Sequence, residues 1–410
     1  MWQDPAVEPA ISRAVGTYVR DQIFSSAAVA AGRLDTIFHC EIIGRRDWAP
    51  RGALAKLDDH YDLASLTKPL VVGSLLALAV GKGKVSLDGT VDRYLPSAKD
   101  SAWGKRQIWQ LASHVSGASA IPQGLVEQRY GDLLNLRNGF SGVDSGPLAK
   151  AEKDALEALF ELEPASAPGK TTYSDLGFWV LGLVLESVWG SRLDEAFTQQ
   201  ILKPLALEDE LGFRPWIPPA VGRSHPFSRG RGKQREVIAT VECPRRGRLI
   251  QGEVHDPLAW SLGGVAGHAG LFGSLFGVYR LTQAWLEAFK GENTIFHSAT
   301  VQKFWTRQRL PADTTWALTW DTPSRQGSTA GDRWSRSGVG HLGFTGTSIW
   351  VDLKTDVIGV LLTNTAHWPG DPKRPMLNKL RRSVYDAISV AGQAHTKGGA
   401  QGAAAFGRKV

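Results

Sequence analysis

Only two cysteines, Cys40 and Cys243, occur among 410 residues. Two thiols cannot complete a structural zinc site and do not make a disulfide framework. Cys40 lies in an apolar run and reads as a buried thiol. No run reaches the roughly 18 apolar residues of a membrane span. The opening Met1-Trp2-Gln3-Asp4-Pro5 lacks the basic stretch and apolar core of a leader peptide. The cytoplasm is therefore the default compartment, replaced by the periplasm if a leader has been removed. Internal repeats are missing as well. His114, His255-Asp256 and His268 have no metal-ligand spacing and read as core or loop hydrogen-bonding groups, with His268 a candidate for the border of a pocket. Neither a metal nor a cofactor is expected. A net charge of +7 is spread along the chain, apart from Arg245-Arg246-Gly247-Arg248 and the stretch Arg229 to Arg235. Both clusters read as solvated loops rather than a nucleic-acid surface, and the excess arginine suits a mildly basic surface or an anionic substrate.

With 42% hydrophobic and 21% charged residues, the chain can bury a large core as one domain or two lobes. Apolar positions Val7, Ile11, Val15, Tyr18, Val19 and Ile23 recur at helical spacing and predict a first helix over residues 5–22. Strands are expected over 27–32 and 36–44, with Arg33-Leu34-Asp35 in the turn. An apolar helix follows over 65–80, ended by Gly81-Lys82-Gly83, then an extended loop over 85–96. Residues 107–200 read as mainly helical, most clearly at 150–162 and 176–188. Residues 208–258 are rich in Pro, Gly and Arg and read as a long, lid-like loop. The glycine run from Gly263 to Gly270 implies tight turns and close backbone approach. A helix at 275–289, a hairpin pairing 347–353 with 357–362, and a closing helix at 376–390 complete the order. Strands near both ends predict one antiparallel sheet closed by distant parts of the chain, an α+β fold. The α/β lobe would take about 1–80 and 259–391, with a helical lobe and long loop inserted at 81–258. The last 19 residues, 392–410, read as a tail.

The chemistry centres on Leu63-Ala64-Ser65-Leu66-Thr67-Lys68-Pro69. A hydroxyl and an amine three residues apart on a helix share a face, and a desolvated amine can activate a serine. Pro69 lacks an N–H and is tolerated only in a first turn, which puts the helix start near Ser65. Ser65 then meets free N–H groups and the positive end of the helix, suited to a developing oxyanion. A second feature, Pro168-Gly169-Lys170-Thr171-Thr172-Tyr173-Ser174-Asp175, opens an apolar helix. Tyr173 near a lysine could act as a base, or Ser174 or Asp175 could cap the helix with the tyrosine in the core. The third is Gly340-His341-Leu342-Gly343-Phe344-Thr345-Gly346-Thr347, whose glycines would let a substrate approach a strand edge. Gly338 to Gly343 also fits a dinucleotide G-x-G-x-x-G, but a strand-like run follows where a helix is required. Ala259-Trp260-Ser261-Leu262-Gly263 resembles a nucleophile elbow without the βαβ alternation that motif needs. Of the fifteen tryptophans, most read as core or cleft walls, and some could line an apolar acyl pocket.

Taken in order, the three features resemble the serine β-lactamase and penicillin-binding-protein superfamily. The match is to the class C-like branch, which holds β-lactamases, DD-peptidases, D-aminopeptidases and esterases. Supporting segments are Gly83 to Asp88 with Tyr94-Leu95-Pro96, Leu111-Ala112-Ser113-His114-Val115-Ser116-Gly117, Ile201-Leu202-Lys203-Pro204-Leu205, and Gly252 to Asp256 with Gly264 to Phe272. The resemblance spans roughly residues 20 to 391. It implies a β-lactamase/transpeptidase-like fold and a single catalytic domain over 1–391. It implies Ser65 as the acylated nucleophile, Lys68 as proton acceptor or electrostatic activator, and Tyr173 as the proton-shuttling base. The backbone N–H groups of Ser65 and Phe344 would form the oxyanion hole, and His341 would stand in the third motif's Lys-or-His position.

Two departures bear on the substrate, in the region where Asp175, Leu342 and Gly343 are expected to bind it. Asp175 replaces an asparagine, so a group that donates and accepts becomes one that only accepts. Leu342 replaces the Thr or Ser whose hydroxyl helps hold a substrate carboxylate, and a missing polar group can change discrimination by orders of magnitude. An esterase or related acyl hydrolase therefore ranks first, a DD-peptidase or D-aminopeptidase second, and a β-lactamase third. The contrasting reading is a penicillin-binding-like protein retained for ligand binding. The expected partner is a small ester, amide or peptidoglycan-like substrate.

Overall fold

The structure, a computed structural model, describes residues 8–120, 157–215, 235–292, 294–308, 310–366 and 373–397. Ten strands occur among them: β1 Ser26–Gly32, β2 Ile37–Gly44, β3 Tyr61–Asp62, β4 Leu211–Phe213, β5 Ala239–Cys243, β6 Arg248–Gln251, β7 Leu271–Gly273, β8 Val339–Leu342, β9 Ser348–Asp352 and β10 Val357–Thr363. Five of them form one sheet in the order β2-β1-β10-β9-β8, antiparallel at every pairing. The first and last strands of the chain are neighbours in its middle, as the sequence order predicts. Asn364 fastens this closure: its Oδ1 accepts from the backbone N–H groups of Ser25 and Ser26, and its Nδ2 donates to the Ala239 carbonyl.

Both faces of this sheet are covered, so β1 and β10 are buried at every position. Such strands read as continuous apolar runs rather than alternating ones. On one face, Val29, Leu361 and Val357 pack with Ile11 and Val15 of the helix Glu8–Arg20 and with Leu380, Val384 and Ile388 of the helix Lys373–Lys397. On the other, Ala28, Ala30, Val360 and Leu362 meet the helix Leu275–Phe289, which packs in turn against the serine helix. The short alanine side chains of β1 let both layers close down on it.

The serine helix is apolar on every side, and Leu70, Val71, Val72, Leu75 and Leu76 are completely buried. A helix of that kind belongs in a core. Its run Ala64–Gly81 has the length and mean hydropathy (1.6) of a membrane span, yet 83% of it is buried inside the protein. It is not a simple α-helix. A 3₁₀ turn at Ala64–Leu66 leads into a π-helical turn over Lys68–Gly73 and only then into α-helix at Ser74–Gly81. Pro69 has no N–H for the Ser65 carbonyl, and the wider turn sits where that bond is missing.

Several expectations need correction. Cys40 is exposed, on β2, the edge strand of the sheet. The stretch 85–96 is not an extended loop: it contains the short helix Val91–Tyr94 and starts a 3₁₀ turn at Pro96–Ala98. The loop expected at 208–258 contains β4, the β5–β6 hairpin and a buried cation. Arg246 donates to Glu253 Oε1 and to the carbonyls of Val254 and His255, and it lies over the Trp260 ring. It is therefore part of the core and not a solvated charge. The closing helix runs to Lys397, so the proposed tail is helical at its start. Residues 398–410, the centre of the 208–258 stretch, most of the Arg229 to Arg235 cluster and the start of the helix expected at 150–162 lie outside the described residues.

Candidate active site

The serine turn is held by a buried carboxylate. Asp62, at the end of β3, accepts the N–H of Ala64 at 2.9 Å and of His255 at 2.8 Å. Ala64 adopts φ 47, a left-handed conformation that a non-glycine residue holds only when its surroundings enforce it. Ser65 follows directly, partly exposed at the start of the buried helix.

Lys68 is fully buried, and its ammonium makes polar contacts with Ser65, His268, Asp175 and Tyr173. It donates to Ser65 Oγ at 3.0 Å and to the His268 carbonyl at 2.9 Å, and it pairs with Asp175 Oδ1 at 2.7 Å. Burial works against the charge, but Asp175 and Tyr173 outweigh it and hold the amine above its ordinary range. His268 reaches Lys68 through the glycine run. A Cβ at Gly267 would collide with the Phe178 carbonyl, so the close approach expected of that run is required there. The His268 ring is anchored in turn by Asp256, Nε2 to Oδ1 at 2.9 Å.

The second motif places its tyrosine beside the lysine and also caps its helix. Ser174 caps the helix Asp175–Trp189 by accepting the Gly177 N–H, and Asp175 in the first turn reaches Lys68. The Tyr173 ring centroid lies 4.9 Å from Lys68 Nζ. Burial pushes the phenol above its ordinary range, against the pull of Lys68 and of hydrogen bonding with Lys68 and Ser65.

The third motif forms the edge strand β8 and the turn into β9. Thr345 Oγ1 donates to the Asp62 carbonyl at 2.7 Å and Thr347 Oγ1 to the Leu63 carbonyl at 3.2 Å. These bonds tie the turn holding Gly343 and Phe344 to the residues just before Ser65. A side chain at Gly343 would strike Thr347 Oγ1 and the Leu63 carbonyl. Behind the turn, the buried Arg381 guanidinium donates to the carbonyls of Gly343 at 2.9 Å and Thr347 at 3.0 Å. His341 is buried, its ring centroid 6.3 Å from that of Tyr173 and 5.5 Å from that of Trp316. Its Nδ1 lies 2.9 Å from the Leu342 carbonyl, which can only accept, so Nδ1 carries the proton. Burial and the nearby Lys68 charge hold this imidazole down at about 3, so it is neutral. Leu342 is half-buried, and Phe344 is exposed and stacked on His255 at 5.7 Å.

The structure thus gathers Ser65, Lys68, Tyr173, Asp175 and the 341–344 segment around one serine. The sequence reading missed Asp62, Arg381 and the His268 carbonyl. Of these only Asp62 carried a signal, an acid three residues before the serine. Ser261 is buried, with its hydroxyl given to the Leu258 carbonyl. Among the described residues, no group of three or more His, Cys, Asp or Glu side chains could hold a metal.

Comparison with known proteins bears on the family and the fold. A protein of Salmonella agona, provisionally named a D-alanyl-D-alanine carboxypeptidase, is 32% identical over 336 residues, which are 78% of this chain and 73% of the relative. Among solved structures, EstCE1, described as a hydrolase with promiscuous acyltransferase activity, superimposes with a TM-score of 0.66 at 20% identity over 93% of this chain and 98% of its own. Simvastatin synthase LovD of Aspergillus terreus gives 0.65 at 18% identity over 94% and 99%. At such identities these two likenesses speak for the fold. The profile of the family described as Beta-lactamase matches residues 11–382, nearly the whole described fold, and the chain is therefore a member of the beta-lactamase family of serine hydrolases.

Proposed function

We propose that the protein is an acyl hydrolase that works through an acyl-enzyme on Ser65 and prefers uncharged esters. The observation that carries this reading is the buried Lys68 ammonium, in contact with both Ser65 Oγ and the Asp175 carboxylate. An amine matched so closely by a carboxylate stays protonated and acts as an electrostatic activator. Tyr173 is then the group that takes the serine proton. In the proposed sequence Ser65 Oγ attacks the ester carbonyl while its proton passes to the Tyr173 phenolate, with the N–H groups of Ser65 and Phe344 facing the oxyanion. Tyr173 returns the proton to the departing alkoxide, leaving the acyl-enzyme. A water then attacks, its proton goes to Tyr173, and Ser65 recovers a proton as the carboxylic acid leaves.

Because Tyr173 is held above its ordinary range, its phenolate is a minor form at neutral pH. The expected result is that kcat/KM rises from pH 7 to pH 9, by up to about tenfold per unit. A flat profile over that range would assign the proton to another acceptor.

Substrate preference follows from what the third motif does not offer. His341 is neutral, Leu342 is apolar, and the Arg381 guanidinium is committed to two backbone carbonyls. Among the described residues placed around Ser65 above, the cation a substrate carboxylate meets is Lys68, already paired with Asp175. The second reading, a D-alanyl-D-alanine carboxypeptidase, is favoured by the names of the Salmonella relatives. To separate the two, kcat/KM is measured for a p-nitrophenyl ester, benzylpenicillin and a D-Ala-D-Ala peptide on the unmodified protein and on Leu342→Thr. The ester should lead on the unmodified protein. Leu342→Thr should improve the carboxylate-bearing substrates relative to the ester by about ten- to a hundredfold, the worth of one hydrogen bond to a charged group. A strong preference of the unmodified protein for the peptide or the penicillin would reject the ester reading.

A further inference from the structure

The Leu111 to Gly117 segment is one of the family-like stretches, and its sequence suggests for His114 a core or loop hydrogen-bonding role. Its contacts are more specific than that. His114 is buried and holds φ 58, a left-handed backbone that only a minority of non-glycine residues adopt. In that conformation its carbonyl accepts the Thr172 N–H at 2.8 Å. Its ring nitrogen Nδ1 accepts the Ser174 N–H at 3.1 Å. Thr172 and Ser174 are the two residues that flank Tyr173. Between these two bonds, the imidazole lies against the Tyr173 ring, with centroids 4.6 Å apart and planes 30° from parallel.

We propose that His114 is the positioning residue for Tyr173: it grips the peptide on both sides of the tyrosine and supports the face of its ring, which fixes the phenol over Ser65 and Lys68. This rests on the role given to Tyr173 above. Three contacts from one residue restrain both the backbone at Tyr173 and the plane of its ring. A hydroxyl that must sit within hydrogen-bond reach of Ser65 needs that restraint, since displacement by about 1 Å can cost a hundredfold in rate.

The grip depends on the protonation state of the imidazole. Nδ1 can accept from Ser174 only while it carries no proton, so the neutral ring must hold its hydrogen on Nε2. The surroundings favour neutrality. Burial is the largest influence, followed by the Lys68 ammonium and His341, and together they hold the imidazole well below its ordinary range. Its other close neighbours are the rings of Phe178 at 5.0 Å and Trp316 at 4.3 Å, which offer no charge to stabilise an imidazolium. The opposite requirement applies to Lys68, which is held charged about one ring away.

The test is a double-mutant cycle on the full chain with a p-nitrophenyl ester, using His114→Asn, Tyr173→Phe and the pair. Asparagine tolerates the left-handed backbone and keeps an acceptor, but it loses the ring support. Tyr173→Phe alone checks the role of the tyrosine: if it leaves kcat unchanged, the proposed mechanism fails, independently of His114. If Tyr173→Phe is strongly impaired, His114→Asn should lower kcat by about ten- to a hundredfold with little change in KM. In the Tyr173→Phe background the same substitution should change kcat less than about twofold, because residues that act as a unit are not additive. An equal loss in both backgrounds, or a His114→Asn enzyme with native kcat, would overturn the proposal. A measurement without any variant guards against misfolding. In the unmodified protein, ¹⁵N NMR of the His114 imidazole should show a neutral ring protonated at Nε2 from pH 6 to 9. A ring protonated at Nδ1, or charged in that range, would also overturn it.

Discussion

Ser65→Ala should abolish turnover of an activated ester, with kcat/KM falling by about three to six powers of ten, while the thermal midpoint stays within a few degrees of the unmodified protein. The size of the loss is typical of removing a nucleophile, and the remainder reflects binding and oxyanion stabilisation. The fold should survive because Ser65 is not a structural anchor. The turn is held by Asp62, and without the hydroxyl Lys68 still pairs with Asp175 and donates to the His268 carbonyl. Parallel measurement of hydrolysis and thermal unfolding decides the matter. Substantial activity in the variant would mean that the acyl group is carried elsewhere. Ser261, the serine of the elbow-like stretch, would be examined next, although its buried hydroxyl is occupied by the Leu258 carbonyl.

The protein should also lose several kcal/mol of stability between pH 7 and pH 5. Burial holds the His60 and His341 imidazoles down at about 3 and that of His255 at about 4, and His114 lies well below its ordinary range. A base whose folded value is depressed binds its proton more readily in the unfolded chain. Its contribution is complete above about 6.5 and is lost as the pH falls toward the folded value. Two buried carboxyls act in the opposite direction. Asp62 and Asp321 are pushed up to about 6 by burial, so they favour the folded chain at low pH and lose that contribution as the pH rises through 6. Over this window four imidazoles oppose two carboxyls, each group counting for about 1.4 kcal/mol per unit of displacement. The net change is a destabilisation that is large beside a total of about 5–15 kcal/mol. Urea unfolding at pH 7, 6 and 5 should show the midpoint falling steadily, and a midpoint that is constant or rises toward pH 5 would refute the prediction.

How far the sequence was legible depended on which atoms do the work. Ser65 and Lys68 were readable because helical spacing alone brings a residue and its third neighbour together. The strands β1, β2, β9 and β10 were readable from their apolar runs, and the closure of the sheet from their positions at the two ends of the chain. Tyr173 and Asp175 were joined to the serine only by the ordered set of motifs, since no local pattern says that the start of a distant helix meets Lys68. The His268 carbonyl and the N–H groups flanking Tyr173 could not be read at all, because a backbone atom leaves no mark on residue type. Arg381 was hidden for a related reason: its guanidinium serves two carbonyls across the fold. Cys40 was misread because an apolar neighbourhood in the chain does not say that its strand lies at the edge of the sheet.

The closure fastened by Asn364 has a consequence for how the protein is made. Its bond to the Ser25 N–H joins residues 339 positions apart, and the serine turn is likewise tied to Thr345 and Thr347. A ribosome adding roughly 5–20 residues per second leaves β1 without its β10 partner for on the order of a minute or less. During that time the apolar N-terminal hairpin has the β10-facing edge of β1 unpaired, and Ser65 has no Gly343–Phe344 turn tied beside it. The active centre is thus one of the last parts of the molecule to be completed, and a nascent chain stalled before β8 would hold Ser65 and Lys68 without the segment that accompanies them.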